Sequence, residues 1–177
     1  QRYFWRWDTE EKYQKNIRGY YRMISGVDHV VGRVVKQLQV AGLSDNTIIV
    51  YAGDNGYYLG QRGFAGKWSH YEESLRVPLV IHDPRAKDDF RGKVVDQVAL
   101  NIDIPATIVE LAGVELPESY QGRGLGPLLA GEKPDGWRTD FLCEHLMHMP
   151  GGIPKYEGVR GERWVYARYF EQDPPFE

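Results

Sequence analysis

The sequence predicts an α/β fold, a layered mixed sheet with helices plus a small C-terminal antiparallel sheet. Three features predict it: an amphipathic stripe over residues 19–41, a buried-type strand directly after it at 47–52, and a hairpin pattern over 157–169. The 177 residues, 42% hydrophobic and 13% aromatic, suit a globular chain able to bury a core.

Tyr20, Met23, Ile24, Val27, Val31, Val34, Val35 and Leu38 recur at three- and four-residue steps, which lays one apolar stripe along a helix. Gly42 ends it, and Asp28 and His29 read as a polar pair at the stripe's edge. Asp45 and Asn46 break the chain before Thr47 to Ala52, a β-branched and aromatic run without polar alternation, which suits a strand covered on both faces. Val77 to His82 is a second strand, with Pro78 tolerable near its start, and Val94 to Leu100 is expected as a third. Asp103 is expected to cap a short helix with Pro105 in its first turn, running to Gly113.

Residues 115–137 carry Pro117, Gly122, Gly124, Gly126, Pro127, Gly131, Pro134 and Gly136, and read as a turn-rich surface connection. They divide the chain into a main α/β part, 1–135, and a smaller antiparallel subdomain, 136–177. In the latter, Thr139 to Cys143 is a strand, and Glu157 to Arg160 and Arg163 to Tyr169 flank Gly161 and Glu162 as a hairpin.

A formal net charge of -3 gives no broad basic field, which argues against nucleic acid as a partner while allowing a local pocket for a small anion. Cys143 is the only cysteine, so the compartment is not legible from thiol usage. No stretch reaches the roughly 20 apolar residues that span a bilayer. The aromatic and charged residues from Gln1 to Asp8 read as interior to a longer protein.

The chemistry is expected where the strand 47–52 empties into Asp54, Asn55 and Gly56, because ligands of open α/β sheets gather beyond the carboxyl ends of strands. A carboxylate beside an amide oxygen suits a hard cation, Ca²⁺ or Mg²⁺, and not zinc. The same three residues also promote a plain turn. Lys67 then adds a compact charge suited to one oxygen of a sulfate or phosphate, followed by Glu72, Glu73 and Arg76.

Several ordered pieces together resemble the type I sulfatases. They are Asp28 to Val34, Gly42 to Thr47, Gly53 to Gly56, Leu59 with Gly60, Gly66 with Lys67, and Tyr71 to Pro78. Asp103 to Ile108, Gln121 to Arg123 with Pro127 to Leu129, and Glu157 to Arg160 with Trp164 to Tyr166 agree. The likeness covers almost the whole chain. It implies an alkaline-phosphatase-like fold, of which residues 1–135 are the C-terminal part of the catalytic domain.

The resemblance further implies that Asp54 and Asn55 hold the active-site metal, calcium ahead of magnesium, and that Lys67 is the catalytic contact to the sulfate ester. Glu144, His145 and His148 would lie near the pocket mouth, where Glu144 and His145 could contact a sugar, although a capped strand end would look the same. Arg62 could add a substrate contact or be a solvated charge. The implied substrate is a sulfate ester, such as a sulfated saccharide, and a periplasmic or secreted location is expected from the family.

One departure matters most. The family's nucleophile, a formylglycine made from a Cys/Ser-x-Pro/Ala-x-Arg segment, has no counterpart here, since Cys143 is followed by Glu144 and His145. The chain therefore resembles the C-terminal portion of a sulfatase, with the formylglycine expected upstream and this portion inactive alone. Without that upstream part the 19–41 helix and the 47–52 strand would expose apolar faces. Two other readings remain: a phosphodiester or phosphonate hydrolase of the same superfamily, and a noncatalytic module that binds sulfated glycans.

Overall fold

The computed structural model describes residues 2–147 and 154–171. The chain forms two compact units: one runs up to Pro84 and takes in His145, and the other runs from Arg85 to Glu144 and resumes at Tyr156.

In the first unit a short helix, α1 (Arg2–Arg6), leads into α2 (Glu10–Val40). The long helix begins earlier than the apolar stripe suggests. Thr9 is its N-cap, accepting the Lys12 N–H at 3.3 Å, and Glu10 and Glu11 lie at the positive end of the helix dipole. Gly42, at φ 66, turns the chain after the last residues. No residue of α2 is buried, and Tyr21, Met23, Ile24, Val27, Val30 and Val34 are exposed.

The strand β1 (Ile49–Ala52) pairs antiparallel with a later strand, Leu79–His82, with Ile49 opposite His82 and Ala52 opposite Leu79. The cover on both faces expected of residues 47–52 is not supplied by the described residues. Ile49 and Val50 are half-buried and Tyr51 and Ala52 exposed, because β1 has one paired neighbour in its sheet. Between these strands lie β2 (Tyr58–Leu59) and β3 (Ala65–Gly66), which pair with each other, and the single-turn helix α3 (Glu72–Leu75). The Leu79–His82 strand, β4, starts just after Pro78, whose carbonyl still accepts the Gly53 N–H at 3.1 Å.

The second unit holds α4 (Asp103–Leu111), α5 (Gly126–Leu129) and a three-stranded sheet in the order β5 (Asp140–His145), β6 (Tyr156–Gly161), β7 (Val165–Tyr169), with the last residue of β5 counted in the first unit. The expected hairpin is β6 with β7, Glu157 opposite Arg168 and Val159 opposite Tyr166. Alternation puts Cys143, Tyr156, Gly158 and Ala167 on the buried face, and a second buried group, Ala106, Thr107, Leu125 and Leu128, lies between α4 and α5.

The structure departs from the sequence expectations at three places. Residues 94–100 form no strand: Val94 and Val95 are exposed, the Val98 carbonyl accepts Trp137 Nε1 at 2.9 Å, and the Leu100 N–H goes to Asp103, so side chains take the place of a ladder. Asp103 does not cap α4, since Ile102 holds that position. Its carboxylate, fully buried, accepts the N–H groups of Leu100 at 2.7 Å and Arg123 at 2.8 Å and pairs with both terminal nitrogens of Arg138. Residues 115–137 are not surface throughout, because Gly122, Leu125 and Leu128 are buried. Among the described residues no helix is long and apolar enough to cross a membrane.

Candidate active site at the Asn55 and Lys67 turns

Beyond the end of β1 the chain turns through Asp54, Asn55 and Gly56. The Gly56 N–H donates to the Ser74 carbonyl at 2.9 Å, so this turn lies directly on the α3 backbone. A Cβ at position 56 would stand 2.2 Å from the Glu73 carbonyl oxygen, a distance no side chain tolerates. Glycine is what allows the close approach. Asn55 is thereby fixed, with its Nδ2 donating to the Gly56 carbonyl at 2.9 Å and its Oδ1 facing outward from that bond.

Lys67 follows β3 at once. Its Nζ donates to Asn55 Oδ1 at 2.5 Å and lies 5.6 Å from the centroid of the neighbouring Trp68 ring. Trp68 sits at φ 80, and Arg62 at φ 56 is the other non-glycine residue with positive φ among the described residues. A bulky side chain in this region stores of the order of 1–3 kcal/mol and persists where neighbours over-determine it. Those neighbours are visible: the Trp68 N–H donates to Ser74 Oγ at 2.8 Å, His145 stacks on the indole at 6.0 Å and 12°, and the Arg2 guanidinium lies 5.7 Å from its centroid.

Around this point the polar groups are buried and paired. Ser69 donates its N–H to Ser74 Oγ at 3.2 Å and its hydroxyl meets the buried Tyr58 hydroxyl. Burial pushes the Tyr58 phenol upward, an effect the Ser69 bond partly offsets. His70 is buried with its ring 4.1 Å from Tyr71, and burial first, then the Arg62 charge, holds its imidazole below the ordinary value.

The structure thus joins Asn55 and Lys67. Asp54 is exposed beside them. Arg62 is engaged elsewhere, paired with Glu73 at 3.3 Å and lying 4.4 Å over the Tyr71 ring. His145 reaches the site through Trp68, whereas Glu144 is exposed on β5 and belongs to the second unit. His148 lies outside the described residues. Trp68 and Ser74 are the site residues that spacing alone did not single out, since neither a tryptophan nor a serine of α3 carries a charge pattern.

Adjacent carboxylate and amide oxygens beside one ammonium can hold a hard cation and one oxygen of an anion. In this structure Asn55 Oδ1 accepts from the Lys67 ammonium, so a cation on that oxygen would share it with a positive group. Among the described residues no three His, Cys, Asp or Glu side chains converge as a metal cage. The formylglycine signature does not fit. Cys143 is buried inside β5, with its thiol pushed up by burial.

The sulfatase family model matches residues 2–114. The chain belongs to the sulfatase family. A second family model, that of the C-terminal region of N-sulphoglucosamine sulphohydrolase, matches residues 60–177. An N-acetylglucosamine-6-O-sulfatase of Bacteroides thetaiotaomicron is 40% identical over 90% of this chain and 29% of its own length. The human N-acetylglucosamine-6-sulfatase is 35% identical over 73% of the chain and 23% of its own.

Among solved structures, a protein in complex with its substrate D-glucosamine-2-N,6-O-disulfate superposes with a TM-score of 0.85 at 32% identity, covering 91% of this chain and 33% of that one. A phosphonate monoester hydrolase from Silicibacter pomeroyi gives 0.82 at 31% identity, covering 91% and 34%. This sulfatase-family chain therefore has the family's alkaline-phosphatase-like α/β fold. It spans about a third or less of the relatives' length.

Proposed function

We propose that this chain is the metal- and anion-binding part of a sulfuric ester hydrolase acting on sulfated saccharides. The observation that carries the proposal is the Lys67 ammonium held against Asn55 Oδ1, at the place where β1 delivers Asp54 and Asn55. Asp54 and Asn55 would hold the divalent ion, calcium ahead of magnesium, and that ion supplies positive charge toward the oxygens of the ester. Lys67 contributes a donor to the sulfuryl oxygens as negative charge gathers on them, and Asn55 keeps that ammonium aimed. Losing one such donor costs about 3–4 kcal/mol at the transition state.

The nucleophilic step lies outside this chain's own residues, because its sequence has no Cys/Ser-x-Pro/Ala-x-Arg segment. The complementary part of the fold is therefore the proposed partner. The unburied apolar face of α2 and the exposed Tyr51 and Val80, opposed across β1 and β4, support this, since faces of that kind promote association. His145, stacked on Trp68, is the proposed sugar contact from this unit, and Glu144 and Arg62 remain secondary candidates.

The names of the relatives favour a sulfated glucosamine as the saccharide. The fit to a phosphonate monoester hydrolase favours a second reading, phosphonate ester hydrolysis. One experiment separates them: the chain assembled with a formylglycine-bearing portion is assayed on an aryl sulfate and an aryl phosphonate. Faster turnover of the sulfate supports the first reading; a faster phosphonate reaction replaces it with the second.

A further inference from the structure

We infer that Ser74 is a positioning residue that ties the Asn55 turn and the Lys67 turn into one unit. Two different parts of this one residue perform the task. Its carbonyl accepts the Gly56 N–H at 2.9 Å, which holds the turn carrying Asn55, while its hydroxyl oxygen accepts the Trp68 N–H at 2.8 Å and the Ser69 N–H at 3.2 Å, which holds the turn carrying Lys67.

The geometry explains why a hydroxyl is needed. Trp68 at φ 80 leaves its N–H and that of Ser69 pointing the same way, away from any ladder, inside a region where Ser69, His70 and Ser74 are all buried. Leaving the buried Ser69 N–H and the partly buried Trp68 N–H without an acceptor would be costly, and a single serine oxygen with two lone pairs satisfies both. The Ser74 N–H itself donates to the Tyr71 carbonyl at 2.9 Å, so the acceptor is anchored in α3. The Lys67 to Asn55 bond then spans two turns that meet on one residue.

This inference rests on the reading of Lys67 as the anion contact, and its test separates the two. Ser74→Ala removes the acceptor, Ser74→Cys keeps the size with a weak one, and Ser74→Thr restores the hydroxyl. In the 177-residue protein, amide hydrogen exchange is measured at Trp68 and Ser69, the side-chain amide resonances of Asn55 are recorded, and inorganic sulfate is titrated.

The clamp predicts that Ser74→Ala and Ser74→Cys speed exchange at Trp68 and Ser69, shift the Asn55 side-chain signals, and weaken sulfate by about tenfold, the factor one lost hydrogen bond carries. Ser74→Thr should restore all three. Faster exchange at Trp68 and Ser69 with unmoved Asn55 signals would overturn the inference and leave Ser74 a local structural residue. Should the wild-type chain bind no sulfate, the reading of Lys67 fails, and the Asn55 signals alone decide the clamp. If Ser74→Ala does not fold, Ser74→Cys against Ser74→Thr gives the same comparison.

Discussion

The Lys67 ammonium donates to Asn55 Oδ1 at 2.5 Å, across two turns that are separate in sequence and joined on α3. An amide oxygen and a primary amine so placed form a partly buried, charge-assisted pair. Asn55→Ala removes the acceptor and frees the amine. Reductive methylation followed by peptide mass spectrometry should show Lys67 reacting several-fold faster in the variant, with the other lysines unchanged; equal rates at Lys67 would show that the bond does not restrain it.

The buried pair of Asp103 with Arg138 is expected to dominate the stability of the second unit. Asp103 is 0% exposed and Arg138 11%, so Asp103→Ala leaves a guanidinium and two backbone N–H groups without their acceptor. Breaking a buried pair from one side costs about 3–5 kcal/mol. Denaturant unfolding of Asp103→Ala should show a loss of that size, and a loss well below it would mean the groups find water.

His70 should make stability depend on pH. Its folded value lies below 6.5, so the unfolded chain takes up the proton first as pH falls. The contribution is full above that value and is lost on acidification down through the folded value. Thermal unfolding from pH 7 to pH 5 should therefore show a steeper decline for the wild type than for His70→Gln, and parallel curves would count against a buried neutral imidazole.

Cys143 should be inert while the protein is folded. Its thiol is buried on β5 and pushed up by that burial, so little thiolate is presented to a reagent. Iodoacetamide at mildly alkaline pH should label it only after denaturant is added. Rapid labelling of the folded chain would contradict the packing of the β-sheet.

Some of this was legible in the residues and some was not. The Asp54 and Asn55 turn could be read because strand-forming residues from Thr47 stop abruptly at Gly53, and the β6 and β7 hairpin because apolar and polar residues alternate around Gly161. The start of α2 was obscured because its first turns, from Glu10 to Arg18, carry charges and few apolar residues; the threonine and two acids at 9–11 are the signal that marks it. Val94 to Leu100 misled because apolar content does not reveal that Trp137 and Asp103 take its backbone groups. The role of Ser74 depends on where the N–H groups of Trp68 and Ser69 point, which no spacing encodes.

The central claim is that Lys67 acts on the sulfuryl oxygens of an ester. The most direct measurement is kcat/KM for an aryl sulfate by the chain assembled with a formylglycine-bearing portion, compared between wild type and Lys67→Ala. Loss of the Lys67 donor should lower the value by about 10²–10³-fold, carried by kcat, as for one preorganised donor. Equal values for the two proteins would contradict it.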